Sequence, residues 1–142
     1  MRVVLLLQGR VEYALLHYAS QALYGSFFKA GIEIFEYRLS FLHAKVAVID
    51  KQWATVGSSN IDPMSLLLAR EANVVIDDSD FAHELHLSLS KAIQKGTQQI
   101  ELERWQRQAL PARIMSWICY GLVRFLTGWS AYGRASEFID NV

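Results

Sequence analysis

Three residues that can do chemistry, His43, Lys45 and Asp50, interrupt an otherwise apolar run over residues 41–50. A second apolar stretch then leads into Gly57-Ser58-Ser59-Asn60. Alternate side chains of an extended segment share a face, which places His43 and Lys45 on one side and Asp50 at the far end. Imidazole serves as nucleophile or proton carrier near neutral pH, and an ammonium beside it can hold a phosphoryl oxygen. Ser58 and Asn60 add a hydroxyl and an amide, donors suited to a tetrahedral oxyanion in a water-poor site. A His-x-Lys triplet alone is common by chance, and a half-buried histidine beside a snorkelling lysine explains it. The full set at fixed spacing is harder to dismiss, because burying both groups costs free energy unless they share a partner.

The elements that must position these residues follow from periodicity. Residues 3–7, short and continuously apolar, are expected to form a fully buried strand, broken by Gln8-Gly9-Arg10. Leu15, Leu16, Ala19, Ala22, Leu23 and Phe27 recur at helical spacing, which predicts a helix over about residues 12–30, with Gly31 as its terminator. Strands are expected at 32–37, 42–49, 53–56 and 73–76, with Asp50-Lys51-Gln52 as a tight hairpin link. Residues 57–60 read as a loop, and Asp62-Pro63 starts a short helix. The acidic residues 77–80 cap a helix to Lys95, closed by Gly96. This order predicts an α/β fold, a mixed β-sheet flanked by helices, over residues 1–100.

Residues 101–142 form a second region. Between Pro111 and Trp129 the charges are Arg113 and Arg124. At 100° per residue Arg113, Ser116, Tyr120, Arg124 and Thr127 share a narrow face. Ile114, Met115, Ile118, Cys119, Leu122, Phe125, Leu126 and Trp129 cover a wider opposite face. A helix lying in a membrane interface, with Trp117 or Trp129 as an anchor, and a helix docked on the domain or a partner both fit this pattern.

Composition excludes some functions. The 142 residues suffice for one domain with a real core. Lys plus Arg (14) balance Asp plus Glu (14), so no overall positive field attracts a polyanion, and no nucleic acid is expected. The chain is 52% hydrophobic, with mean hydropathy +0.14. The single cysteine, Cys119, cannot form an internal disulfide and reads as an apolar filler. No secretory signal is visible, since the opening apolar stretch is only five residues long. His83 and His86 are three apart on a helix but lack a third ligand at metal-site spacing, so no metal is expected.

The complete pattern, His43-x-Lys45-x-x-x-x-Asp50, six residues, then Gly57-Ser58-x-Asn60, resembles the HKD signature of the phospholipase D superfamily. Glu71, eleven residues after Asn60, is similar to the acidic position on that family's next strand, whose carboxylate bonds the catalytic histidine. The stretches Leu5–Arg10, Tyr24-Gly25, Ile34–Tyr37 and Phe41–Lys45 resemble the C-terminal half of bacterial cardiolipin synthases, over essentially the whole chain. The resemblance implies a phospholipase-D-like half-domain and a metal-independent phosphatidyl transfer through a phosphohistidine, with no cofactor. It implies phosphatidylglycerol as phospholipid substrate and a peripheral place on the membrane surface, at the cytoplasmic side of the bacterial inner membrane. By position His43 is one of two histidines, either nucleophile or general acid/base. Lys45, Ser58 and Asn60 hold phosphate oxygens, Glu71 orients His43, and Asp50 supports the motif.

The family's site needs two such motifs, and this chain carries one. His17, His83 and His86 have no lysine two residues on. The second HKD motif then comes from a homodimer or a separate polypeptide. The alternatives are a phospholipase-D-type phosphodiesterase or nuclease homodimer, and an inactive truncated half-domain.

Overall fold

The computed structural model describes residues 2–11, 13–59 and 71–139, with side chains up to residue 126. Its architecture is mixed α/β, two three-stranded sheets flanked by helices, as expected of a phospholipase-D-like half-domain. The expected helix at Asp62-Pro63 lies outside the described residues.

Strand β1 (Val3–Gln8) pairs in parallel with β2 (Ile32–Tyr37), from Val3↔Ile32 to Gln8↔Tyr37. A parallel pair needs a crossover, which α1 (Ala14–Gln21) and α2 (Tyr24–Lys29) supply. The periodicity suggests one helix here, and the structure has two. At the break, Leu23 N–H bonds Ser20 O and Ser26 N–H bonds Leu23 O, tighter i→i−3 links that redirect the chain. The turn drives Tyr24 into the interior and sets Gly25 against the Trp105 ring, 2.8 Å from where a Cβ would stand. Strand β6 (Thr97–Ile100) completes this sheet antiparallel to β2. Its sequence, Thr-Gln-Gln-Ile, is too polar to announce a strand; the open edge of β2 recruits it.

The second sheet is antiparallel, with β3 (Val46–Ile49), β4 (Trp53–Gly57) and β5 (Asn73–Asp77) in that order. The β3–β4 hairpin turns through Asp50-Lys51-Gln52, with Asp50 and Lys51 left-handed at φ 51° and 58° as the central pair of a primed turn and Gln52 N–H closing on Ile49 O at 3.0 Å. Helix α3 (Ser79–Gly96) starts at Asp78, whose carboxylate accepts from Phe81 N–H at 2.9 Å. It packs on both sheets, burying Ala82 and the β4 residue Ala54 completely. Gly96 falls inside this helix because Tyr37 occupies the space a side chain there would need.

After α4 (Leu102–Gln106), α5 (Leu110–Ile139) docks on α1. Ala19, Cys119 and Val123 form the shared core, with Leu16 and Tyr120 beside it, and Ser116 is buried as well. Arg113 stacks over Trp105 at 5.2 Å. The docked stripe thus follows the narrow face and its border, while Ile114, Met115, Ile118 and Leu122 of the wide apolar face stay exposed, as does Trp117 beside the narrow face. No helix among the described residues is long and apolar enough to cross a membrane.

Candidate active site

Strand β3 begins at Val46, not at Leu42, so His43 and Lys45 precede the ladder instead of sitting within it. The reason lies in β4. Gly57 N–H to Lys45 O, 3.0 Å, is the last bond this strand gives β3 before the chain departs toward β5. The register explains the motif's spacing. Val46 pairs with Val56, and Gly57 pairs with Asn73. Lys45, Gly57 and Asn73 therefore form one row, and His43, Ser59 and Glu71 each lie two residues further at the same end. Residues two apart in an extended segment share a face, so the chain positions of His43, Lys45 and Glu71 all lie toward one end of this sheet, with His43 and Glu71 beyond the paired strands. His43 is exposed, and Lys45 and Glu71 are half-buried. No hydrogen bond joins His43 to Glu71 among the described residues.

Ser58 falls on the other face of β4. Its Oγ accepts from Ala72 N–H at 3.1 Å, tying the loop to the start of β5. The hydroxyl in the histidine's row belongs to Ser59, which accepts from Asn73 Nδ2 at 2.7 Å. Gly57 is required here because a Cβ would run into the Asn73 side-chain oxygen. Ser59 and Asn73 were not singled out from the sequence, although counting alternate residues from Lys45 through Gly57 leads to both. Asn60 lies outside the described residues.

Asp50 is not brought to this cluster. It occupies the hairpin turn at the opposite end of β3, roughly 20 Å from His43 at an extended rise of about 3.3 Å per residue. A left-handed turn position suits its short polar side chain. His17 contacts Gln21 at 3.0 Å on α1, and His83 and His86 lie on α3. Among the described residues no group of three His, Cys, Asp or Glu is placed to hold a metal ion.

A polar cluster underlies the C-terminal ends of β1 and β2. Glu36 is buried, accepting from Tyr24 Oη at 3.2 Å and from Arg38 Nη2 at 2.8 Å. Burial, then the neighbouring Glu36 charge and hydrogen bond, holds the Tyr24 phenol well above its ordinary pKa. Above this layer Gln8 Oε1 accepts from Leu42 N–H at 2.8 Å, so the end of β1 touches the residue before His43. Ligand sites of open α/β sheets gather at such carboxyl ends.

Residues 1–93 match the family model described as cardiolipin synthase, PLD-like domain. Cardiolipin synthase B of Escherichia coli strain K12 is 43% identical over 100 residues, covering 70% of this chain and 24% of that protein. The protein of the same name from Salmonella typhi is 40% identical over 99 residues, with the same two coverages of 70% and 24%. Cardiolipin synthase A of Proteus mirabilis strain HI4320 is 35% identical over 106 residues, covering 75% of this chain and 22% of that protein. The chain thus spans about a quarter of the length of these curated relatives. No solved structure matches it significantly.

Proposed function

The chain belongs to the family of cardiolipin synthase PLD-like domains, and we propose that it furnishes one half of a phosphatidyltransferase site, with His43 as one of two histidines. In the first step one imidazole nitrogen attacks the phosphorus of phosphatidylglycerol. The P–O bond to glycerol breaks, and the second imidazolium gives its proton to the departing oxygen. That second imidazole, now neutral, takes the hydroxyl proton of another phosphatidylglycerol. The freed oxygen attacks the phosphohistidine, the P–N bond breaks, and cardiolipin leaves with both histidines restored. Lys45 and Asn60 are assigned to the phosphate oxygens and Glu71 to orienting His43; Ser59, in the histidine's row, takes the hydroxyl role, while Ser58 ties the loop to Ala72.

The observation that carries this reading is the register that sets His43, Lys45 and Glu71 toward one end of the sheet within a chain of this family. The face they share continues into Ile49 and Val75, 41% and 66% exposed, an apolar surface suited to a second half-domain bearing the other motif. The exposed apolar face of α5 suits a lipid surface, with the chain peripheral on the membrane's cytoplasmic side.

The test is cardiolipin formation and glycerol release from phosphatidylglycerol vesicles, by the chain alone and mixed with a polypeptide carrying another H-x-K-x-x-x-x-D motif. We expect turnover in one of these and its loss on His43→Ala by about three orders of magnitude or more, the scale on which removing a catalytic group acts. Silence in both, or full activity without His43, refutes the reading. Tight DNA binding at moderate salt with no vesicle binding points instead to a nuclease.

A further inference from the structure

We propose that Gln8 is a positioning residue for His43, an inference that rests on the assignment of His43 above. Residues 39–44 lie between the last bond of the first sheet, Arg38 N–H to Gly96 O, and the first of the second, Gly57 N–H to Lys45 O. His43 therefore hangs on a connection that neither ladder fixes. Side chains from the end of β1 fix it instead. Gln8 holds Leu42 N–H at 2.8 Å, one residue before the histidine. Arg10 donates to Arg38 O at 3.0 Å and to Leu39 O at 2.7 Å, and its guanidinium lies 5.7 Å from the Phe41 ring centroid.

The Gln8 contact is a poor investment for folding. Among the described residues its buried Nε2 has no hydrogen-bond partner. A buried donor left unsatisfied costs at least as much as one good hydrogen bond returns, so the amide yields no net stability. Methionine would fill a similar volume with no orphaned donor. What the amide does secure is the backbone beside His43, and misplacing a reacting group by about 1 Å can cost about 100-fold in rate.

The experiment compares Gln8→Met, which removes the acceptor, with Gln8→Glu, which keeps an accepting oxygen at the same reach. In the full chain the readouts are the melting midpoint and amide exchange at Leu42 and His43. In the assembly that forms cardiolipin they are kcat and KM. For Gln8→Met we expect an unchanged or higher midpoint, Leu42 exchange faster by about tenfold or more, and kcat down about 10- to 100-fold with KM within about twofold. Gln8→Glu should restore Leu42 protection and most of kcat. Unchanged Leu42 exchange in Gln8→Met overturns the inference, as does a fall in midpoint that tracks the loss of activity in both variants. The transferase assignment fails separately, through wild-type silence or an innocuous His43→Ala. The Leu42 measurement needs no turnover and still decides whether Gln8 holds the segment.

Discussion

Replacing Tyr24 by Phe removes one oxygen atom and tests the buried layer beneath the site. The phenol donates to Glu36 Oε1 at 3.2 Å, and the opposite carboxylate oxygen is held by Arg38, whose side chain is 54% exposed. Without the hydroxyl, Glu36 keeps one partly solvated ion pair and has one oxygen buried without its partner. Hydrogen bonds to charged groups contribute about 1.5–3 kcal/mol, and that is the expected loss at pH 7. The pH dependence carries a second signature. Burial above all holds the folded-state pKa of Tyr24 above the ordinary phenol value of about 10. Above pH 10 the unfolded chain gives up this proton and the native chain keeps it, so stability falls as pH rises. The loss amounts to about 1.4 kcal/mol by pH 11. Tyr24→Phe has no such proton, so the gap between wild type and variant should narrow by that amount. Urea unfolding at pH 7 and pH 11 measures both numbers. A loss under about 0.5 kcal/mol at pH 7, or a gap constant with pH, refutes the description of the cluster.

Gly57→Ala pushes a methyl group into the Asn73 side chain and toward Ala72 O, 2.5 Å away. It should destabilise by about 1–3 kcal/mol in denaturant unfolding, and Gly57→Ala with Asn73→Ala should recover part of this. Lys51 sits at φ 58° in the hairpin turn, so Lys51→Gly should raise stability by about 0.5–1 kcal/mol; a lower midpoint contradicts the turn. Ile118→Ser with Leu122→Ser alters residues 57% and 45% exposed on α5. The pair should change stability by no more than about 1 kcal/mol, with helix propensity the main term, yet weaken sedimentation with anionic vesicles; undiminished vesicle binding counts against the membrane role.

Much of this architecture can be read from the residues, for physical reasons that differ by element. The run Val3–Leu7 announces a strand by its unbroken apolar character, but as an edge strand it is only half-buried and not fully covered, while Asp78 caps α3 just where an acidic turn precedes a periodic segment. Asp50-Lys51 announces a hairpin because apolar strands flank it closely. The break at Leu23 carries no proline, and beside its short i→i−3 bonds Tyr24 reaches Glu36 across the fold, a contact the local sequence does not announce. Strand β6 exists because β2 has an edge to fill, a tertiary cause invisible in Thr-Gln-Gln-Ile. For α5 the periodicity marks a wide apolar face, but α1 chooses the small residues Ser116 and Cys119, which let the helices approach closely. For the proposed site, the spacing of Lys45 and Gly57 is legible because the hairpin sets them side by side, and His43 and Glu71 each follow two residues beyond that row. Ser59 could be reached by counting alternate residues past Gly57, whereas Gln8 depends on which strand end meets which loop, and only the folded chain shows that.

The two sheets are unequally packed. Among the described residues β2 buries Ile34 and Glu36, whereas the strands of the motif-bearing sheet bury only Ala54. Regions with so few interior contacts open locally at less cost than the whole domain. The sheet that carries half of the proposed site is thus also the part with most order to gain from being covered. Any partner that binds only the folded sheet adds to its stability by mass action, about 2.7 kcal/mol at a hundred times its Kd. The melting temperature of the chain should then rise with the partner's concentration, linking assembly of the site to survival of the protein that contributes it.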